Sequence, residues 1–157
     1  MPRIDARLPK GMRDFLPGEV LKREYVIGVI TDVFQTFGFE PIYTPALEML
    51  ETLLGKYGED ADKLLFYAHH PGGKEQLGLR YDLTVPLARY VAMHENELMM
   101  PFRRYHIAPV WRGDRPQKGR YREFVQCDVD IVGVASMAAD AEIVSLLTTA
   151  LGRLGFA

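Results

Sequence analysis

The chain has 157 residues, 48% of them apolar and 25% charged, with a formal net charge of −2; this is the size and balance of one globular domain able to enclose a core. No stretch approaches the roughly 18 consecutive apolar residues that span a bilayer, and the opening MPRIDARLPKGMRD lacks the hydrophobic segment of a secretory leader. A single cysteine, Cys127, excludes an internal disulfide framework, so a cytoplasmic protein without membrane attachment is expected.

In chain order, residues 18–37 place Val26, Val29, Ile30, Val33, Phe34 and Phe37 at helical spacing, with Gly38 as a stop. FEPIYTPALEM is an extended segment broken by Pro41 and Pro45, leading to a short helix near 47–57. Residues 58–76 are polar and Gly-rich, with a strand at LLFYA and a turn at HPGGK. LGLRYDLT reads as a strand; Thr84 then caps a helix that has Pro86 in its first turn and continues through Leu87, Tyr90, Val91 and His94. RRYHIAPVWR and RYREFVQCDVDIVG are two extended runs joined by GDRPQKG. A last amphipathic helix over 138–154 presents Ile143, Leu147, Ala150, Leu151 and Leu154. The expected class is α+β, an antiparallel sheet flanked by helices.

Charge is unevenly spread. Residues 103–122 carry seven Arg and Lys against Asp114 alone, a local +6, so with −2 overall the remainder carries −8. The near-neutral total argues against bulk nucleic-acid binding, whereas the concentrated patch points to a local anion site. Strand alternation from Arg120 sends Arg120, Arg122, Phe124, Gln126, Asp128 and Asp130 to one face. Tyr121, Glu123, Val125, Cys127, Val129 and Ile131 go to the other, mostly apolar and core-directed. The polar face thus has a cationic end, an aromatic middle and an acidic end. Phe124 can stack on a base. Arg112 shares its parity with Arg104 and His106, and with Arg120 it can grip a phosphate chain from two sides. Arg120 and Asp130 lie ten residues apart, about 33 Å on a straight strand, so an ATP along this face would have to bend.

RYDLT adds Asp82 and Thr84, with Arg80. Asp82 and Asp130 can receive a cationic or imidazole-bearing small molecule, and paired carboxylates equally admit metal binding or acid–base work. Other sites find less support. There is neither GxxxxGK[ST] nor GxGxxG. His69 and His70 read as a surface loop and His94 as a packed or exposed helix residue. Cys127 has core parity and is no nucleophile, and Asp128 with Arg122 reads as an ordinary ion pair.

Four segments in this order resemble the amino-terminal part of the histidyl-tRNA synthetase family, class II aminoacyl-tRNA synthetases. KGMRDFLP resembles the family's opening signature, and GFEPIYTPALE resembles class II motif 1 with Pro45 in the characteristic proline position. LRYDLTVPLARYVA resembles the histidine-binding segment, and YHIAPVWRGDRPQKGRYREFVQCDVDIVG resembles motif 2 in full. The resemblance implies that ATP and histidine give histidyl-adenylate, that the histidyl group passes to tRNA(His), and that Mg²⁺ accompanies ATP without a metal site of the chain's own. It places Arg112 at the α-phosphate and the substrate carboxylate, Arg120 near the γ-phosphate, Phe124 under adenine and Asp114 near the adenine amino group. Asp82 and Thr84 would bind the amino end of histidine, Gln126 and Asp130 would line its pocket, and motif 1 with Pro45 would serve a homodimer interface.

Motif 3, the later histidine-specific segment and the anticodon-binding domain have no counterpart in these residues. Residues 1–157 therefore read as a partial class II catalytic domain, incomplete at its C-terminal side. An unpaired sheet edge and little or no aminoacylation by the chain alone are expected. Two rivals differ in kind. One is a synthetase-like regulatory subunit of ATP phosphoribosyltransferase in histidine biosynthesis, which has no need of the Arg112, Arg120 and Phe124 set. The other is an RNA-binding module, whose affinity would be salt-sensitive, survive Phe124→Ala and not compete with ATP.

Overall fold

The computed structural model describes residues 5–55 and 63–156. They fall into two compact units, Met1–Asp14 with Pro45–Pro86 and Pro109–Val125, and Phe15–Thr44 with Leu87–Ala108 and Gln126–Ala157. The elements in chain order are α1 (Pro17–Thr36), β1 (Glu40–Pro41), β2 (Leu47–Met49), α2 (Leu50–Leu54), β3 (Phe66–Ala68), β4 (Leu77–Leu79), α3 (Thr84–Met93), β5 (Phe102–Trp111), β6 (Glu123–Val132) and α4 (Met137–Arg153). They form two three-stranded sheets, in the orders β1-β5-β6 and β2-β4-β3. The class is α+β, as expected, with the sheets left open.

In the first unit the β2-β4-β3 sheet is antiparallel throughout, Glu48 and Tyr67 both facing Gly78. A Cβ at Gly78 would lie 2.9 Å from Leu53 Cδ1, so a larger residue there would have to displace that side chain. Leu50, Leu53, Leu65 and Tyr81 form this unit's core. The strand expected over LGLRYDLT stops at Leu79. Arg80, 4% exposed, leaves the ladder to serve the interior: Nε donates to the Pro109 carbonyl at 3.0 Å and Nη1 to that of Pro45 at 3.3 Å. Burial lowers the Arg80 pKa from its ordinary value, and Glu48 opposes the shift; a guanidinium stays charged there. Thr84 does not cap α3 but is its first residue. The cap comes from Asp82, whose carboxylate accepts the Val85 N–H at 3.0 Å. The helix expected near 47–57 is in fact a strand, β2, followed by the short α2, and its expected end lies outside the described residues.

The second unit is organised by α1 and α4. Helix α1 starts at Pro17, with Glu19 accepting the Leu16 N–H at 3.2 Å, one half of a capping box. It ends where Gly38, at φ 77°, turns the chain so that Phe39 N–H reaches the Phe34 carbonyl at 3.0 Å. Val33, Phe34, Phe39, Tyr105, Leu146 and Ala150 form the core. Val33 and Leu146 are fully enclosed, and each burial contributes roughly 1.5–3 kcal/mol. A smaller cluster gathers Ile42, Leu87 and Phe102. Leu147 and Leu151, expected on the inner stripe of α4, are each 50% exposed, because the packed face runs through Ile143, Leu146 and Ala150.

One pairing adds to the antiparallel expectation. Strand β1 runs parallel to β5, with Glu40 opposite Arg104 and Pro41 opposite Tyr105; the intervening elements supply the long crossover that a parallel pair needs. At the other end of this sheet β6 pairs with β5 alone among the described residues, which is the open edge expected.

Candidate functional site

In the first unit the arginine-rich segment 112–122 is closed by its own backbone. Arg112 N–H donates to the Arg122 carbonyl at 2.8 Å, and Gln117 and Arg120 exchange bonds at 3.1 and 2.9 Å. Gly113 N–H donates to the Leu64 carbonyl at 2.8 Å, an approach that a side chain would block because its Cβ would lie 2.9 Å from the Lys63 carbonyl oxygen.

Arg112 is anchored at one point. Its Nε donates to the Tyr81 carbonyl at 2.9 Å, and the guanidinium carbon lies 5.1 Å from the centroid of Phe124. Among the described residues its two Nη nitrogens make no hydrogen bond to protein, so the fork keeps its paired donors for an anion. Arg120 has a more exposed side chain and faces the Asp114 carboxylate at 3.4 Å. Arg122 turns inward instead, Nε donating to the Asp114 carbonyl at 3.0 Å. Arg122 and Asp128, read from the sequence as an ion pair, have other partners within their own units: the Asp114 carbonyl and Arg104. The structure brings Arg112 to Phe124 and Arg120 to Asp114 in this unit, and Arg112 is bonded to the residue next to Asp82. Thr84 is exposed at the start of α3, and Pro45 is exposed with its carbonyl taken by Arg80.

Strand β6 carries Phe124 in the first unit and Gln126 and Asp130 in the second. There Gln126 Nε2 donates to Asp128 Oδ1 at 3.1 Å, and Arg104 Nη2 donates to Asp128 Oδ2 at 2.7 Å. The same Nη2 meets the Asp130 carboxylate. Arg104 is 0% exposed, and among the described residues its Nε and Nη1 have no hydrogen-bond partner. Two carboxylates thus share one guanidinium nitrogen. Burial pushes the Asp130 pKa up, Arg104 pulls it back, and Asp128 adds to the rise. Asp130 also lines a cavity of about 440 Å³ with Ser136 and Asp140 among its walls.

Arg104 escaped a role in the sequence reading although it shares Arg112's parity. The signal was present as an arginine inside the apolar run FRRYHIAPV, with Asp128 and Asp130 two residues apart on the neighbouring strand. Cys127, expected to face the core, is exposed. Desolvation by packed atoms raises its pKa against the pull of Arg23, so it is not an activated thiolate. His69 and His70 are exposed, as read. No helix among the described residues is long and apolar enough to cross a membrane.

The family described as histidyl-tRNA synthetase matches residues 11–157. Similar curated proteins include histidine–tRNA ligases of Bacteroides fragilis, 50% identical over 94% of this chain and 37% of that protein, and of Rhodopirellula baltica, 50% identical over 97% and 34%. The chain thus spans little more than a third of these relatives. Among solved structures, histidyl-tRNA synthetase of Nostoc sp. PCC 7120 is 36% identical with a TM-score of 0.83, over 95% of this chain and 34% of its own. An ATP phosphoribosyltransferase regulatory subunit/histidyl-tRNA synthetase of Bacillus halodurans is 31% identical with a TM-score of 0.85, over 99% and 40%.

Proposed function

Because the chain belongs to the histidyl-tRNA synthetase family, we propose that residues 1–157 are the part of a class II catalytic domain that carries motifs 1 and 2. In the whole protein this part takes ATP and histidine, and the histidyl group then passes to tRNA(His). The observation that carries the reading is Arg112, held by one nitrogen to the Tyr81 carbonyl, with its fork unspent beside the Phe124 ring.

In the activation step an oxygen of the histidine carboxylate bonds to the α-phosphorus while the bond to the bridging oxygen breaks and pyrophosphate leaves. Negative charge approaches a triphosphate that already carries several. Arg112, on the α-phosphate and the attacking carboxylate, offsets that repulsion and aligns the two reacting groups. Arg120 takes the far phosphates, exchanging its contact with Asp114 for them, and Asp114 turns to the adenine amino group over Phe124. Asp82 and Thr84 receive the histidine amino group; Gln126 and Asp130 receive its ring. Bound to the triphosphate, Mg²⁺ would offset part of its charge. Among the described residues no cluster of three or more His, Cys, Asp and Glu offers a metal site, and the chain's own share of the charge compensation falls to its arginines.

The protein is further proposed to be a cytoplasmic homodimer with Pro45 and α1 at the subunit contact. The regulatory alternative is disfavoured by the retained Arg112, Arg120 and Phe124, which a protein that only senses histidine has no use for. Histidine-dependent ATP–pyrophosphate exchange by the full-length protein decides between them. Exchange supports the synthetase; histidine binding without exchange contradicts it. The 157-residue chain alone is expected to form no histidyl-tRNA.

A further inference from the structure

The segment KGMRD near the start of the chain takes no part in the chemistry above, yet within the first unit it is fastened to the arginine-rich loop. Gly11 accepts the Arg122 N–H at 2.8 Å. It does so from a left-handed conformation, φ 84°, and a Cβ on it would lie 2.9 Å from both Arg122 Cγ and Pro116 Cγ, so no other residue fits. Two residues on, the guanidinium carbon of Arg13 sits 3.2 Å from the centroid of the Tyr121 ring, a close cation–π stack. Met12 N–H closes a turn on the Pro9 carbonyl at 3.2 Å, which makes the segment a compact body and not a passing strand. On the loop's other flank, Gly113 is tied to the Leu64 carbonyl. Loop 112–122 is thus held from both sides.

We infer that residues 9–13 form a brace that sets the shape of loop 112–122 before any ligand arrives, making Gly11 and Arg13 positioning residues for Arg112 and Arg120. The part of this inference that concerns ATP rests on the function proposed above; the mechanical part does not. A loop that carries several like charges repels itself, and without an outside hold it would spread over many conformations. Each nucleotide would then have to bear the cost of ordering it. The brace removes that cost in advance, so its loss falls on nucleotide binding.

The test compares wild type, Arg13→Met and Arg13→Lys. Methionine keeps length and apolar packing while removing the charge; lysine returns a cation to the ring. In full-length protein, histidine-dependent ATP–pyrophosphate exchange is expected to show the KM for ATP raised about tenfold by R13M. The KM for histidine, which meets the loop through Arg112 alone, should rise clearly less than that for ATP, and R13K should recover most of the ATP effect. An unchanged KM for ATP, or equal rises for ATP and histidine, overturns the brace. Amide hydrogen exchange on the ligand-free 157-residue chain gives the second reading. R13M should speed exchange across 112–122 while amides in 77–79 keep their wild-type rates, and equal rates across 112–122 overturn the brace. If wild-type protein shows no pyrophosphate exchange, the proposed function fails, and the hydrogen-exchange comparison still decides the brace.

Discussion

Three arginines in or beside extended runs meet three different ends. Arg80 is spent on backbone carbonyls, Arg104 is sealed beneath two carboxylates, and Arg112 is pinned by one nitrogen with its fork left over. An arginine in an extended run reads as surface charge, and only the partners brought by remote segments separate these outcomes. The cationic cluster and strand parity drew attention to Arg112 and Phe124, whereas Arg104, inside its apolar run, was passed over. Removing Arg104 alone strands Asp128 and Asp130. The Arg104→Met change is therefore expected to destabilise the chain by about 3–5 kcal/mol in urea unfolding, with most of the loss recovered when both aspartates are also neutralised to Asn. Asp130 adds a pH signature. Its folded-state pKa is raised, so the folded chain holds this proton more tightly than the unfolded one. The resulting stability is complete below the unfolded value of about 3.9 and is lost as pH rises through the folded one. Stability of wild type relative to Asp130→Asn should accordingly fall as pH is raised from about 3, and a flat difference would contradict the shift.

At the scale of elements, the boundaries marked by local chemistry were readable. Gly38 ends α1, and the loop GDRPQKG separates β5 from β6, because these signals act on their own few residues. Boundaries set by distant partners were not. LGLRYDLT has the composition of one strand, but Arg80 and Asp82 are claimed by Pro109, Pro45 and the first turn of α3. The inner stripe of α4 was off by one position for a similar reason: Leu146 and Leu147 are equally apolar, and only the placement of α1 decides which is buried. Asp82 now carries two assignments, the cap of α3 and a contact to the histidine amino group, and they are separable. Asp82→Asn retains a side-chain oxygen for Val85 N–H, so it should leave thermal stability near wild type while raising the KM for histidine. Asp82→Ala should in addition cost about 0.5–2 kcal/mol. Equal histidine KM values for wild type and Asp82→Asn would remove Asp82 from the substrate site.

For the molecule as a whole, family membership rests on a match over residues 11–157, and the chain corresponds to 37% of its Bacteroides fragilis relative. The α+β class and the open edge at β6 were both anticipated, the first from alternating helix and strand periods, the second from the strands that motifs 1 and 2 do not include. The two separate sheets and the parallel β1–β5 pair were not, because pairing across sixty residues leaves no local trace. Within the first unit the Arg112 guanidinium lies 5.1 Å from the Phe124 ring, and the proposed function requires the two to act on one nucleotide. The direct measurement is pyrophosphate exchange by full-length protein carrying Arg112→Gln or Phe124→Ala. Arg112→Gln should lower kcat by about two orders of magnitude, and Phe124→Ala should raise the KM for ATP roughly tenfold or more with little change in that for histidine. Wild-type kinetics in both variants would contradict it.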